Sequence, residues 1–347
     1  MNKLTKVGLS ALCGSLAAVS AANAGEMTVT GGVDMTWMSK DGGDASTGNP
    51  IGMGSNLTFS GNGELDNGWT FGVTVAMLNQ DAYSTTAVNL TMGGLGSLNF
   101  NQGDSGNGID SLDDKMPTAW EESWGMGLGT GLKLVSGIGP QVNVQYKTPT
   151  VFGVTLTGAV APDMGAAKTN DKGTSSTNDA TGAGYDATIN INPSFGTEIL
   201  SGMNLFVGAH THEIYNETSA HNDYYEATGG ITFDIGPISL GYAQQGIATG
   251  KTVTGTDVDW YKNQMYGVAF NINDNLSVSY NEVESRQGFV NPAQGETRQM
   301  DIESAQIAYT MGGMSVRLAD SEVTNGSYQL TNAYDKEATV ISVSLAF

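Results

Sequence analysis

Apolar and polar residues alternate along almost the whole chain, and this period of two is what most restricts its fold. Residues 27–37 read MTVTGGVDMTW, with Met27, Val29, Val33, Met35 and Trp37 on one parity and Thr28, Thr30, Asp34 and Thr36 on the other. Successive strand side chains point to opposite faces, so this segment has one apolar and one polar face. The pattern returns in Phe71, Val73, Val75 and Met77, in Tyr185, Ala187, Ile189 and Ile191, and in Tyr266, Val268, Phe270 and Ile272. It ends the chain as Ile341, Val343, Leu345 and Phe347. With 48 glycines in 347 residues, the spacing points to an all-β protein with many turns.

The first 24 residues differ. Lys3 and Lys6 precede an apolar stretch from Val7 to Ala22, and Ala22-Asn23-Ala24 has the A-x-A form of a cleavage site. This is a secretory signal peptide, leaving residues 25–347 as one domain. Its removal takes away Cys13, the single cysteine, so no disulfide supports the exported chain. Beyond it no run reaches about 18 apolar residues, so no helix can span a membrane.

The links between segments are lopsided. Short turns such as Asp66-Asn67-Gly68, Gly93-Gly94, Gly236-Pro237, Asn273-Asp274-Asn275 and Gly312-Gly313 alternate with long polar stretches. The long ones fall near 39–52, 79–87, 103–140, 162–182, 213–222, 246–258, 284–299 and 322–336. The count is about 16 strands. Short links on one side and long ones on the other mark a transmembrane antiparallel β-barrel. In hydrocarbon every backbone group must be paired internally, and a closed sheet leaves no free edge. The apolar parity then faces lipid and the polar parity a wet lumen. A soluble β-sandwich shares the alternation, but here a charge-poor apolar face persists through about 16 segments. Trp69 and Tyr146 beside short turns, and Trp37 and Trp260 beside long links, suit the two membrane–water interfaces.

Charge narrows the function. Thirty-five acids against 14 bases give a formal net charge of −21, which repels a nucleic-acid backbone. Asp34, Glu64, Asp186 and Glu226 carry lumen parity. Carboxylates lining a channel favour cations.

Four features carry a resemblance to the Gram-negative general porins, most of all the alphaproteobacterial type. The signal peptide leads directly into an alternating strand. The segment 93–104, GGLGSLNFNQGD, and the segment 141–149, QVNVQYKTP, resemble porin strand and turn sequences. The last residues, VSLAF, are similar to the outer-membrane assembly signal that ends in Phe, here Phe347. The resemblance implies a 16-stranded homotrimer in the outer membrane, in contact with the lipid bilayer and lipopolysaccharide. It also implies passive diffusion of ions and small hydrophilic solutes, no catalysis and no cofactor. The third external loop, about 104–135, is expected to fold inward and narrow the pore. That loop carries Asp104, Asp110, Asp113, Asp114, Glu121 and Glu122. Family members usually face such acids with a wall of arginines. This chain has only Arg286, Arg298 and Arg317, of which Arg317 alone sits mid-strand with lumen parity; Lys147 shares that parity near a turn. A cation-selective pore without a strong transverse field is expected. Divalent cations such as calcium could bridge the acidic loops loosely, though no calcium motif stands in the sequence.

Other signals are weaker. Gly103-Asp104-Ser105-Gly106 resembles a serine-protease nucleophile segment, but no histidine stands in the matching context of base and orienting acid. His210 and His212, two apart on one strand face, are expected as polar lumen residues; two ligands make a poor metal site. A barrel that does not conduct, such as a surface adhesin, is the alternative to a channel.

Overall fold

The computed structural model describes residues 27–43, 48–79, 81–165, 181–193, 200–215, 222–252, 257–291 and 298–347. The expected signal peptide, with Cys13, and His221 lie outside them. Sixteen strands alternate up and down. The first eight are β1 (Thr28–Asp41), β2 (Ile51–Glu64), β3 (Thr70–Leu78), β4 (Asp81–Thr91), β5 (Ser97–Gln102), β6 (Asn143–Lys147), β7 (Val154–Ala161) and β8 (Thr181–Ile191). The second eight are β9 (Met203–Ile214), β10 (Tyr224–Ile235), β11 (Ile238–Ala248), β12 (Val258–Asn271), β13 (Leu276–Phe289), β14 (Arg298–Met311), β15 (Met314–Thr324) and β16 (Lys336–Ala346).

Each strand pairs antiparallel with its sequence neighbours, and β1 pairs with β16 to close the barrel. Val33 lies opposite Leu345 and Met35 opposite Val343. Two backbone hydrogen bonds between Gly31 and Phe347, of 3.2 and 3.0 Å, finish the seam. Closure pairs the whole ladder, which a sheet in lipid requires. The apolar parity points outward, with Val73, Leu98, Val144, Leu240, Val268 and Ile307 exposed on the outer wall. At the short-link end, the Tyr146 hydroxyl donates to the Leu95 carbonyl at 2.7 Å and ties two turns together.

Two expectations change. The long link expected at 79–87 is only residues 79 and 80, because β3 and β4 pair almost to their tips. There Asn79 takes a positive φ of 53° and its side chain accepts the Ser55 N–H at 3.0 Å. Second, residues 284–289 belong to β13 rather than to a link, so Glu284 and Arg286 stand on the wall.

Candidate functional site: the lumen and its inward loop

The segment between β5 and β6, residues 103–142, lies inside the barrel. Its backbone N–H groups need acceptors there, and the wall supplies them. On β8 the Asp186 carboxylate accepts the Ile109 N–H at 2.7 Å and the Ile138 N–H at 3.3 Å. Glu226 on β10 accepts Ser136 and Gly137 at 2.9 and 2.6 Å, and the Tyr224 hydroxyl at 2.9 Å. Gln306 on β14 accepts the Trp120 and Glu121 N–H groups, each at 3.1 Å. Gln245 on β11 accepts Val135 at 3.2 Å. Gly108 and Gly137 have positive φ and pass so close to the Asp186 carboxylate that a Cβ on either would collide with it. Glycine is what allows the loop to close on its anchor.

Histidines support that anchor. His210 Nδ1 lies 2.5 Å from Asp186 Oδ1, and its Nε2 lies 2.8 Å from His212 Nδ1. His212 stacks on Tyr224 at 4.7 Å.

Between the polar anchors the contact is dry. Leu112, Met116, Met126 and Leu128 of the loop pack on Phe206, Met265, Val283, Met300 and Ile302 of the wall, with Trp120 and Trp124 at the edge. These wall residues have lumen parity, so the expectation of a wet polar face fails for this half of the barrel. The parity rule holds; the environment differs, because the loop replaces water there.

Asp186 and Glu226 point inward as expected, but at 5% and 3% exposure they do not line the open path. They are anchors for the loop. Glu64 and Lys147 stand exposed at the short-link ends of β2 and β6. Asp34 pairs with Arg317 at 3.0 Å and accepts the Ser342 hydroxyl. The Arg317 guanidinium also lies 4.9 Å from the Trp120 ring centre.

The loop acids form two groups. Asp110, Asp113 and Asp114 surround a cavity of about 410 Å³ with Ser105 and Lys115. Asp110 also accepts the Gly106 N–H at 2.5 Å. Burial, then repulsion from Asp110, Asp114 and Glu122, pushes Asp113 up to about 8. Burial raises Asp110 to about 6 against the Gly106 N–H, and raises Asp104 above the usual carboxylate range. Glu121 rises to about 7 through burial and its neighbour Glu122, while Arg317 opposes the shift. Glu121 shares a groove of about 730 Å³ with Thr30, Asp34, Asn56, Thr58 and Arg317. Facing the loop, the wall of β1–β4 offers hydroxyl, amide and glycine positions on its lumen parity. Arg317, the inward mid-strand arginine, is already paired.

Several residues that hold the loop were not singled out from the sequence. Gln245 and Gln306 are ordinary polar residues at lumen positions. Lys336 reaches the Leu128 carbonyl at 3.4 Å. One signal was present: Met265, Val283, Met300 and Ile302 put apolar side chains on the parity that should be polar.

A closed 16-strand barrel with a loop laid along its lumen is the architecture of a channel, and the family comparison agrees with it. The family model for Gram-negative porins matches residues 8–346. The chain belongs to the Gram-negative porin family. As such a porin it is an outer-membrane channel for passive diffusion and not an enzyme. OmpF of Salmonella typhi, solved in complex with daunomycin, is similar at 13% identity and a TM-score of 0.67, over 92% of this chain and 97% of that one. An anion-selective porin from Comamonas acidovorans is similar at 14% identity and 0.63, over 93% and 99%. OmpT of Vibrio cholerae, in its trimer form, is similar at 10% identity and 0.61, over 93% and 99%. At these identities the likeness shows the fold. No curated sequence matches the chain.

Proposed function

We propose that this porin is a cation-selective general diffusion channel of the alphaproteobacterial type, with the loop at about 104–135 as its eyelet. One observation carries the selectivity: five loop acids border lumen cavities or one another, and the facing wall of β1–β4 carries one basic residue among the described residues, Lys40, which is itself partnered. Asp110, Asp113, Asp114, Glu121 and Glu122, once ionised, set the sign of the field, with Asp104 at the loop's entrance. In a narrow passage that field acts within one Debye length, about 8 Å at physiological salt. Glu64 and Lys147 lie at the periplasmic mouth. Purified protein in a planar bilayer across a KCl gradient tests the proposal. A reversal potential favouring K⁺ is expected, and a preference for Cl⁻ would overturn it.

The same proposal includes a homotrimer seated among lipid and lipopolysaccharide. Support comes from β1 and β2, whose outward apolar face continues to the external rim at Trp37, Ile51 and Met53, exposed by 44, 68 and 73%. Exposed apolar area of this kind fits a subunit contact. Conductance steps in groups of three would follow. Phe347, at the barrel seam, is proposed as the assembly signal; Phe347→Ala should leave more unfolded chain in the periplasm. The alphaproteobacterial type rests on segments 93–104 and 141–149.

A further inference from the structure

Lys262 and Arg286 are the only two basic residues that the described strands turn outward. Both occur on the upper wall, and they sit directly opposite each other in the β12–β13 ladder. Like charges in that position destabilise a strand pair. Neither has an ion-pair partner among the described residues. Arg286 Nε donates to Gln299 at 3.1 Å, and Lys262 lies 5.0 Å from the Trp260 ring centre. Both line one open groove of about 590 Å³.

The groove has a shape as well as a charge. Pairing continues from Lys262 to Gly246 on β11 and from Gly246 to Ala227 on β10. Gly229 joins them on the floor, and a Cβ added at Gly246 would meet nothing within 4 Å. A trough floored by Ala227, Gly229 and Gly246, with the Gln244–Gln264 pair along its side, therefore leads from the two cations toward the apolar band, where Leu240 and Val268 are exposed. At the boundary, Tyr242 and Tyr266 lie 5.3 Å apart, as an interfacial aromatic belt requires.

Neighbouring strands are the opposite. Glu282, Glu303, Glu322 and Glu337 face one another in successive pairs across β13 to β16. A phosphate is repelled there and attracted at Lys262 and Arg286. Glu284 lines the groove two residues from Arg286 and pairs across the ladder with Asp301, so a phosphate can approach only on the far side of the two cations from these acids.

We propose that this groove binds an anionic, phosphorylated lipid of the external leaflet. Its phosphate sits between Lys262 and Arg286, and an acyl chain lies along Ala227, Gly229 and Gly246. A phosphate between the two cations relieves their repulsion, and guanidinium–phosphate hydrogen bonds are charge-assisted. The inference rests on the outer-membrane location of the porin and not on its ion selectivity.

Native mass spectrometry of the full barrel in neutral detergent tests it, with bis-phosphorylated lipid A as the probe. The wild type should retain the lipid. The double variant Lys262→Gln, Arg286→Gln should bind it at least about tenfold more weakly, the scale of lost charge-assisted contacts. Glu303→Gln should keep wild-type binding. Heat-modifiable gel mobility reports that each barrel is folded, and unchanged single-channel conductance reports that the channel is intact. Equal binding by wild type and double variant overturns the proposal. So does displacement of the lipid by inorganic phosphate at matched concentration, which would make this a free-anion site. Loss of trimers in the double variant without loss of lipid would assign the groove to a second copy instead. A wild-type barrel that binds lipid but does not conduct would count against the channel reading alone.

Discussion

The wall of β1–β4 and the wall of β9–β14 are built from the same alternation, yet their lumen faces have opposite fates. No described residue of β1–β4 is fully buried. Across the barrel, Phe206, Met265, Val283, Met300 and Ile302 are at most 1% exposed although they point into the same lumen. The cause is the 103–142 segment, which lies on the second wall and, apart from its contact with Met38 of β1, leaves the first to water. Strand parity thus assigns a side chain to a face. What covers that face decides whether it is wet.

The contrast can be broken at the anchors, where the largest effect is expected. Replacing Asp186 and Glu226 together by Ala leaves four loop N–H groups without acceptors, at about 1–3 kcal/mol for each buried group. The loop should leave the wall, single-channel conductance should rise, and the loop should become open to protease. Unchanged conductance would mean that the loop does not limit the pore.

Next comes the dry contact. Leu112→Ala or Leu128→Ala should cost about 2–5 kcal/mol of packing, seen as a lower denaturation midpoint of the folded barrel. Asn56→Ala or Thr58→Ala on the wet wall should stay within about 0.5 kcal/mol. Equal losses on both walls would refute the distinction.

A smaller effect concerns pH. Asp110, Glu121 and Asp113 are raised to about 6, 7 and 8, so each is neutral below its value and charged above it. Cation preference should therefore climb as pH rises from about 5 to 9, and flatten in Asp113→Asn. Because these acids are raised, the docked loop favours their protonated forms, and its hold should loosen with rising pH through the same window. A flat reversal potential over that range would contradict these assignments.

Smallest is Arg317→Ala. The Asp34–Arg317 pair is partly exposed, so stability should change by no more than about 1 kcal/mol. Selectivity should shift further toward cations, because Asp34 and Glu121 would lose their nearby positive charge.

Much of the barrel was legible in the sequence. Turn residues at Gly236-Pro237 and Asn273-Asp274-Asn275 bounded strands correctly, because the positive φ of Gly236, the fixed φ of Pro237 and the Asn273 side chain accepting the Asn275 and Leu276 N–H groups are local properties. The ends near the long links were misjudged at 79–87 and 284–299. Polar residues such as Asn79 and Glu284 read as loop, yet Glu284 lies within β13 and Asn79 directly follows β3. The acids of the loop were named through the resemblance to the third external loop of the porins. The anchoring roles of Asp186 and Glu226 were not, since parity gives a direction and not a partner.

By itself the sequence determined that this chain closes into a barrel with its apolar parity toward lipid, because that follows from a period of two and a backbone that must pair every polar group. It also placed the negative charge on the loop and the inner face. Only the tertiary structure decided which half of the lumen stays open, which carboxylates hold the loop rather than meet ions, and that two outward cations share one groove. Those outcomes depend on contacts between residues far apart in sequence, such as Ile109 with Asp186 and Trp120 with Gln306, and no local pattern encodes them.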